Sequence, residues 1–335
     1  MLKIAALIAG LAAATAAPPA TTSEKAFQAL GFTAQEQARL GQGEIVSHGV
    51  QELSDKELAI TMSVLVPAPL ADLLTFVRSE KELEINRDIL AHGALPADAD
   101  RDAGLQALKD ARFAGTEAAE IRGLYEAGPG SRYNLRLAEA QRFADLRKKL
   151  PDKSCEKDSR CSEAVIATYQ DVLLGRLKAY RERGMIAIDP YAREDGRKSE
   201  PAQELLKATN AARFLASEYP RVFDAFLHYP QGDQLGIESR FLWLKQKVQD
   251  RPTFILAHRI LYVGDGIAFL AERQFYVGQS YNSLQILSGL LPIEGKTLVV
   301  YLNRTSTDQV AGFLSETRHG LGRKIMEREV RKQFE

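Results

Sequence analysis

Apolar residues recur along this chain with two different periods. Over 56–66 they alternate, with Leu58, Ile60, Met62, Val64 and Val66 separated by mostly smaller or polar residues. A period of two puts these side chains on one face of a half-buried strand. A second β-type run, 44–53, precedes it, and Ser54-Asp55 forms a turn between the two. Pro67 and Pro69 stop the strand; 70–77 then reads as a helix and 82–90 as a third strand. Upstream, Thr33-Ala34-Gln35-Glu36 has the form of a capping box, with Gly41 placed to end the helix it starts.

From about residue 103 the pattern becomes helical. Val165, Ile166, Tyr169, Val172, Leu173, Leu177 and Tyr180 follow one side of a long helix that Gly184 ends. A second long helix is predicted over 199–219; Pro220 closes it and suits the first turn of another running to Leu227. Strand character returns near Glu238, in 241–248, 253–263 and 267–277. The last of these is read as continuing through a bulge at Gly278 to Leu287. A tight turn at Glu294-Gly295 leads to a final strand over 296–303. The terminal helix carries Val310, Phe313, Leu314, Leu321, Ile325, Val330 and Phe334 as an apolar stripe opposite a charged face.

The first seventeen residues follow neither pattern. Lys3 precedes an apolar run over 4–14, and Ala14-Thr15-Ala16 has the small-x-small form of a cleavage site before Ala17. This is the layout of a secretory signal. A membrane anchor is the alternative, but a span takes about 20 apolar residues, and this run is shorter, alanine-rich and followed by Pro18 and Pro19. The alanine-heavy style is bacterial, and no later stretch is apolar enough to act as a transmembrane anchor. The expected location is periplasmic or secreted. Cys155 and Cys161, the only cysteines, lie in a polar stretch with no histidine nearby, so a disulfide is favoured over a metal or redox pair.

Composition changes the picture little. A chain with 45% hydrophobic and 26% charged residues is typical of a folded globular protein. Lys plus Arg and Asp plus Glu number 44 each, so no broad field draws in nucleic acid or anionic lipid.

Without the helical section there remain about seven strands, mostly in consecutive hairpins, and one long terminal helix. The segments 56–77 and 241–335, with Val64-Leu65-Val66-Pro67-Ala68-Pro69 leading into a helix, resemble the START-like helix-grip superfamily in order of elements. The resemblance implies an α+β fold, a curved antiparallel sheet packed on a long C-terminal helix, with a ligand between them. Here a large helical insert, about 130 residues, interrupts the family pattern. The expected organisation is a signal at 1–17, sheet domain at 18–102 and 231–335, and insert at 103–230.

No metal motif, G-x-S-x-G elbow, P-loop or G-x-G-x-x-G is present, and no cofactor is expected. Polar groups concentrate on the later strands. Arg273 sits in an apolar row with Phe269, Ala271, Phe275 and Val277, where it is costly to bury unpaired. It pairs with Asp308 or Glu272, faces solvent, or awaits an anionic ligand group. His258 shares a face with Phe254, Leu256 and Ile260, as a hydrogen-bonded core residue or as a ligand or base. The candidate ligand-binding residues are Arg273, Tyr276, His258, Arg304, Tyr281 and Trp243. Arg273 and Tyr276 fall on opposite faces of a regular strand, so both point inward only across a bulge. Three functions are open: binding of a small apolar or anionic amphipathic ligand, an envelope enzyme of cyclase- or hydrolase-like type using His258 or a tyrosine, or a protein-interaction module built on the insert.

Overall fold

A computed structural model describes residues 27–334 apart from 29, 97–99, 152–153, 233–235 and 312–314. The signal segment and Phe313 therefore lie outside the described residues. The fold is α+β, and its centre is one open antiparallel sheet of eight strands in the order β1-β2-β10-β9-β8-β7-β6-β3. The strands are β1 (Val46–Gly49), β2 (Glu57–Val66), β3 (Ile89–Leu95), β6 (Ile237–Val248), β7 (Arg251–Gly264), β8 (Ile267–Val277), β9 (Ser283–Ile293) and β10 (Lys296–Ser306). The first long strand pairs with the last, Asn303 opposite Ile60.

The helical insert leaves after β3 and returns into β6, and these two strands pair with each other, Gly93 opposite Trp243. The insert is thus the long loop of a hairpin, which explains how it is accommodated without breaking the sheet. A glycine is needed at 93, because a Cβ there would lie 2.5 Å from the Trp243 indole nitrogen. The insert contains α4 (Arg101–Ala107), α5 (Ala118–Tyr125), α6 (Leu137–Lys149), α7 (Ser159–Arg183), the small hairpin β4 (Tyr191–Ala192) and β5 (Lys198–Ser199), α8 (Pro201–Asn210), α9 (Arg213–Glu218) and α10 (Pro220–Leu227). Outside it lie α1 (Ala34–Gly41), α2 (Leu70–Arg78), α3 (Lys81–Ile85) and α11 (Ser315–Phe334). The capping box is present as read: the Glu36 carboxylate accepts from the Thr33 N–H at 2.8 Å.

Alternation gives the sheet two faces. One carries Phe241, Trp243, Leu256, Ile260, Phe269, Ala271 and Leu298, and the insert packs against it. The other carries Leu242, Leu244, Ile255, Ala257 and Leu261, covered by Leu74 of α2 and Leu83 of α3. At the β1 end that second face receives α11, through Ile60, Met62, Tyr301, Met326 and Val330. The insert and the C-terminal helix therefore lie on opposite faces.

The structure corrects several readings. The segment 82–90 is not a strand: α3 fills its first half, and β3 starts at Ile89. The chain does not run straight through Gly278. It reverses there, with Ser280 at φ 77, so that β9 returns beside β8. Gly278 is kept small by contact, since a Cβ would meet the Tyr169 hydroxyl at 2.6 Å. The helix expected over 199–219 breaks at 211–212 into α8 and α9.

The terminal helix also presents a different stripe. His319 and Val330 are buried and Met326 packs beside Val330, whereas Leu321 is 62% and Ile325 44% exposed. Gly322 explains the choice: a Cβ there would lie 2.8 Å from the Leu58 side chain, so the helix approaches β2 along its glycine side. Val330→Ala is expected to cost about 1.5–2 kcal/mol, from two buried methyl groups, and Ile325→Ala no more than about 0.5 kcal/mol. Urea midpoints of the two variants check this, and equal losses would show that both sides of the helix are packed.

Cys155 and Cys161 form a disulfide with Cα atoms 5.1 Å apart. Both sulfurs turn into the insert core despite their polar neighbours, at 1% and 2% exposure. Asp158 holds the geometry by accepting from the Cys161 N–H at 2.6 Å and so capping α7. A bridge closing so short a loop contributes about 2–3 kcal/mol. It also fits an oxidising compartment.

Candidate functional site

Opposite Leu256 and Ala257, strand β8 carries one extra residue. Tyr276 pairs with Leu256 and Gln274 with Ala257, leaving Phe275 between them as a bulge. Across it Arg273 and Tyr276 both turn toward the insert, as the candidate set requires, although the bulge lies at Phe275 rather than at Gly278.

Arg273 is fully buried, directly across from His258 on β7. Its Nε donates to Gln285 Oε1 at 3.1 Å. Nη1 donates to the Tyr180 hydroxyl at 2.9 Å, and Nη2 to the Phe226 carbonyl at 2.7 Å and Thr209 Oγ1 at 3.4 Å. One guanidinium thereby joins the sheet to α7, α8 and α10. The expected carboxylate partners are engaged elsewhere. Glu272 faces the other side and pairs with Arg259 at 2.9 Å, while Asp308 pairs with Lys56 and Arg193, both at 3.0 Å. Those cations and the Ser199 hydroxyl hold the Asp308 carboxyl down at about 2 against the opposing effect of burial. Among the described residues no carboxylate forms an ion pair with Arg273. What faces it instead is the C-terminal part of α8 and of α10, where helix dipoles place partial negative charge worth up to about 2 kcal/mol to a cation. Burying an ion costs several kcal/mol, so the helix ends offset only part of that.

His258 is also fully buried. Its Nδ1 lies 3.0 Å from the Tyr180 hydroxyl and its Nε2 2.5 Å from the hydroxyl of Ser239, an exposed residue on β6. The serine–histidine contact resembles a nucleophile and its base, but the surroundings of the imidazole argue otherwise. Tyr180 accepts from Arg273, which leaves its own proton available to His258 Nδ1. With the proton on Nε2 the neutral imidazole donates to Ser239; with it on Nδ1 the serine hydroxyl donates to Nε2. Burial, then the Arg273 charge, hold the His258 pKa well below the ordinary histidine value. An imidazole that is so hard to protonate is a poor general base for the serine.

The other candidates disperse. Tyr276 joins a separate network, with its hydroxyl 3.2 Å from that of Tyr169 and its ring under the Arg176 guanidinium at 4.6 Å. Burial pushes the Tyr276 hydroxyl well above the ordinary tyrosine value. Trp243 is core, its indole N–H donating to the Ala107 carbonyl at 3.0 Å. Tyr281 lies with the cluster on the opposite face and donates to Gln274. Arg304 is buried against Glu57 at 2.8 Å and also donates to the Gln51 carbonyl at 3.3 Å. Only Arg304 shares a space with Arg273: a narrow cavity of about 10 Å³ walled also by Thr209, Ala212, Phe226 and Leu302. That cavity lies between the sheet and the insert, not between the sheet and the C-terminal helix.

The larger concavity was not signalled by any local pattern. A cleft of about 670 Å³ opens on the insert, over α7 and beside Asp100 and Arg142. Leu174, Leu177 and Tyr229 supply apolar lining, and Arg101, Arg142, Lys178 and Arg181 supply four cations against Asp100, Asp171 and Glu182. Arg101 is paired with Asp171 at 2.8 Å, and Asp100 caps α4. The Tyr229 ring also packs on His258, with centroids 4.4 Å apart, and on Tyr180 at 5.8 Å. One aromatic ring thus separates the cleft from the buried His258–Arg273 chain. Among the described residues no cluster of His, Cys, Asp or Glu is arranged to hold a metal, and no helix is long and apolar enough to cross a membrane. Comparison of the chain with protein-family models, with curated proteins and with solved structures found no match.

Proposed function

We propose that this protein is an exported, periplasmic or secreted binding protein that takes a small anionic amphipathic ligand in the cleft of its helical insert. The cleft carries the reading. Its volume of about 670 Å³ falls within the range of about 300–1,000 Å³ usual for small-molecule sites. Its lining combines an apolar part, Leu174, Leu177 and Tyr229, with four cations against three carboxylates, an excess of one positive charge, and Arg142 and Lys178 are its exposed cations outside the Arg101–Asp171 pair. An acyl or ring body would lie on the former and an acid group against the latter, through charge-assisted hydrogen bonds. The likeness in element order to helix-grip proteins also supports ligand binding, with the ligand moved to the insert. The burial of His258 beside the Arg273 charge, which keeps the imidazole hard to protonate, speaks against the enzyme reading.

Laurate binding to the purified chain tests this. Arg142→Glu combined with Lys178→Glu, both exposed positions, is expected to weaken binding at least about tenfold, or about 1.4 kcal/mol, with an unchanged melting midpoint. Equal affinity in wild type and the double variant would move the site away from the cleft.

A further inference from the structure

We propose that the narrow cavity between β8–β10 and α8–α10 is a halide site, holding one chloride ion that ties the insert to the sheet. Two buried guanidiniums line it, Arg273 and Arg304. The bonds described for Arg273 use four of its five N–H groups. Arg304 spends Nη1 on Glu57 and Gln51, and its buried Nε has no hydrogen-bond partner. A buried N–H without an acceptor is rare and costly, and here it belongs to a residue that lines a cavity.

Charge selects the occupant. Arg273 and Arg304 carry two positive charges, and Glu57 is the one carboxylate paired to either among the described residues. One positive charge remains, which the helix ends on α8 and α10 offset in part. The other polar groups of the wall are committed: Thr209 donates to Leu205 and Gln285 accepts from Arg273. The free valence is therefore N–H donors and net positive charge, which is the requirement of an anion. Size narrows it further. A space of about 10 Å³ is roughly that of a single water. A monoatomic anion fits such a space with small adjustment; a phosphate, sulfate or carboxylate does not. Water satisfies the donors but leaves the charge, so chloride is the better occupant.

The test uses the wild-type chain without added organic ligand, so its outcome is independent of laurate binding in the cleft. Thermal melts are compared in sodium chloride, sodium bromide and sodium gluconate at matched ionic strength, and crystals are grown in bromide. The expected result is a higher melting midpoint in either halide than in gluconate, saturating with halide concentration, and an anomalous bromide peak between Arg273 and Arg304. Arg304→Lys keeps a cation opposite Glu57 but removes the Nε–H, and is expected to lose the halide dependence. Equal midpoints in chloride and gluconate, or a cavity occupied by water alone in bromide crystals, would overturn the proposal. So would a halide dependence that survives Arg304→Lys unchanged.

Discussion

Arg273→Ala is expected to destabilise the protein by about 3–5 kcal/mol, a large share of the stability of an ordinary domain. The guanidinium is fully buried and donates to Gln285, Tyr180, Phe226 and Thr209. Truncation leaves several buried oxygens short of a donor, each at about 1–3 kcal/mol, and opens a void beside an existing cavity. Arg273→Lys keeps the charge but lacks the planar fork that reaches four acceptors at once, and is expected to recover only part of the loss. Guanidinium unfolding of the three proteins measures this. An unchanged midpoint in the alanine variant would mean that Arg273 does not hold the insert to the sheet. A ligand-anchoring Arg273, as its apolar row in the sequence suggested, would instead be removable without loss of fold.

How far the sequence reached follows from which interactions are local. The alternation of β2, β7 and β10 was legible because each strand presents one apolar and one mixed face over ten or more residues. The disulfide was legible because its partners are 6 residues apart. The end of β8 was misread because Gly278-Gln279-Ser280 holds no proline or Asn-Gly pair; the reversal is held from a distance, by Asn134 donating to the Val277 and Tyr281 carbonyls, and Tyr169 of α7 leaves room only for a glycine at 278. The terminal helix offered several candidate stripes, and the one used is chosen by Gly322 meeting Leu58, a contact that no periodicity encodes.

The site follows the same division. Arg273 stood out because an arginine in an apolar row demands an explanation. Its acceptors on Phe226, Thr209 and Tyr180 lie 47, 64 and 93 residues away, beyond any local pattern, so neutral oxygens and helix ends could not be foreseen as its partners. Ser239 meets His258 from the neighbouring strand, in a pairing that alternation alone does not rank above other serines. The cleft is assembled from residues of α4, α6, α7 and Tyr229, none of which forms a motif by itself.

Glu139→Ala is expected to cost a further-reaching 3–5 kcal/mol, roughly the loss found when one partner of a buried ion pair is removed. Glu139 on α6 is 1% exposed and meets the Arg176 guanidinium of α7 in two bonds, 3.1 and 2.6 Å long. Arg176 is itself 7% exposed, and its charge lies over the rings of Tyr191 at 5.2 Å and Tyr276 at 4.6 Å. Those ring faces attract a cation, but by roughly 2 kcal/mol even when desolvated, too little to keep an isolated arginine inside. With the carboxylate gone, Arg176 must either stay buried and unpaired or leave, pulling α7 from α6 and uncovering Tyr276 on the sheet. Because Leu174, Leu177 and Lys178 lie on the same helix, the cleft should open or deform with it, and laurate affinity should fall together with stability. Arg142→Glu with Lys178→Glu is expected to lower affinity alone, so the two effects separate. Replacing both partners, Glu139→Leu with Arg176→Met, removes the charge and its counter-charge together and should restore most of the stability. Urea midpoints of the single and double variants decide the matter: a single variant as stable as wild type, or a double variant no better than the single, would show that the pair does not hold α6 to α7.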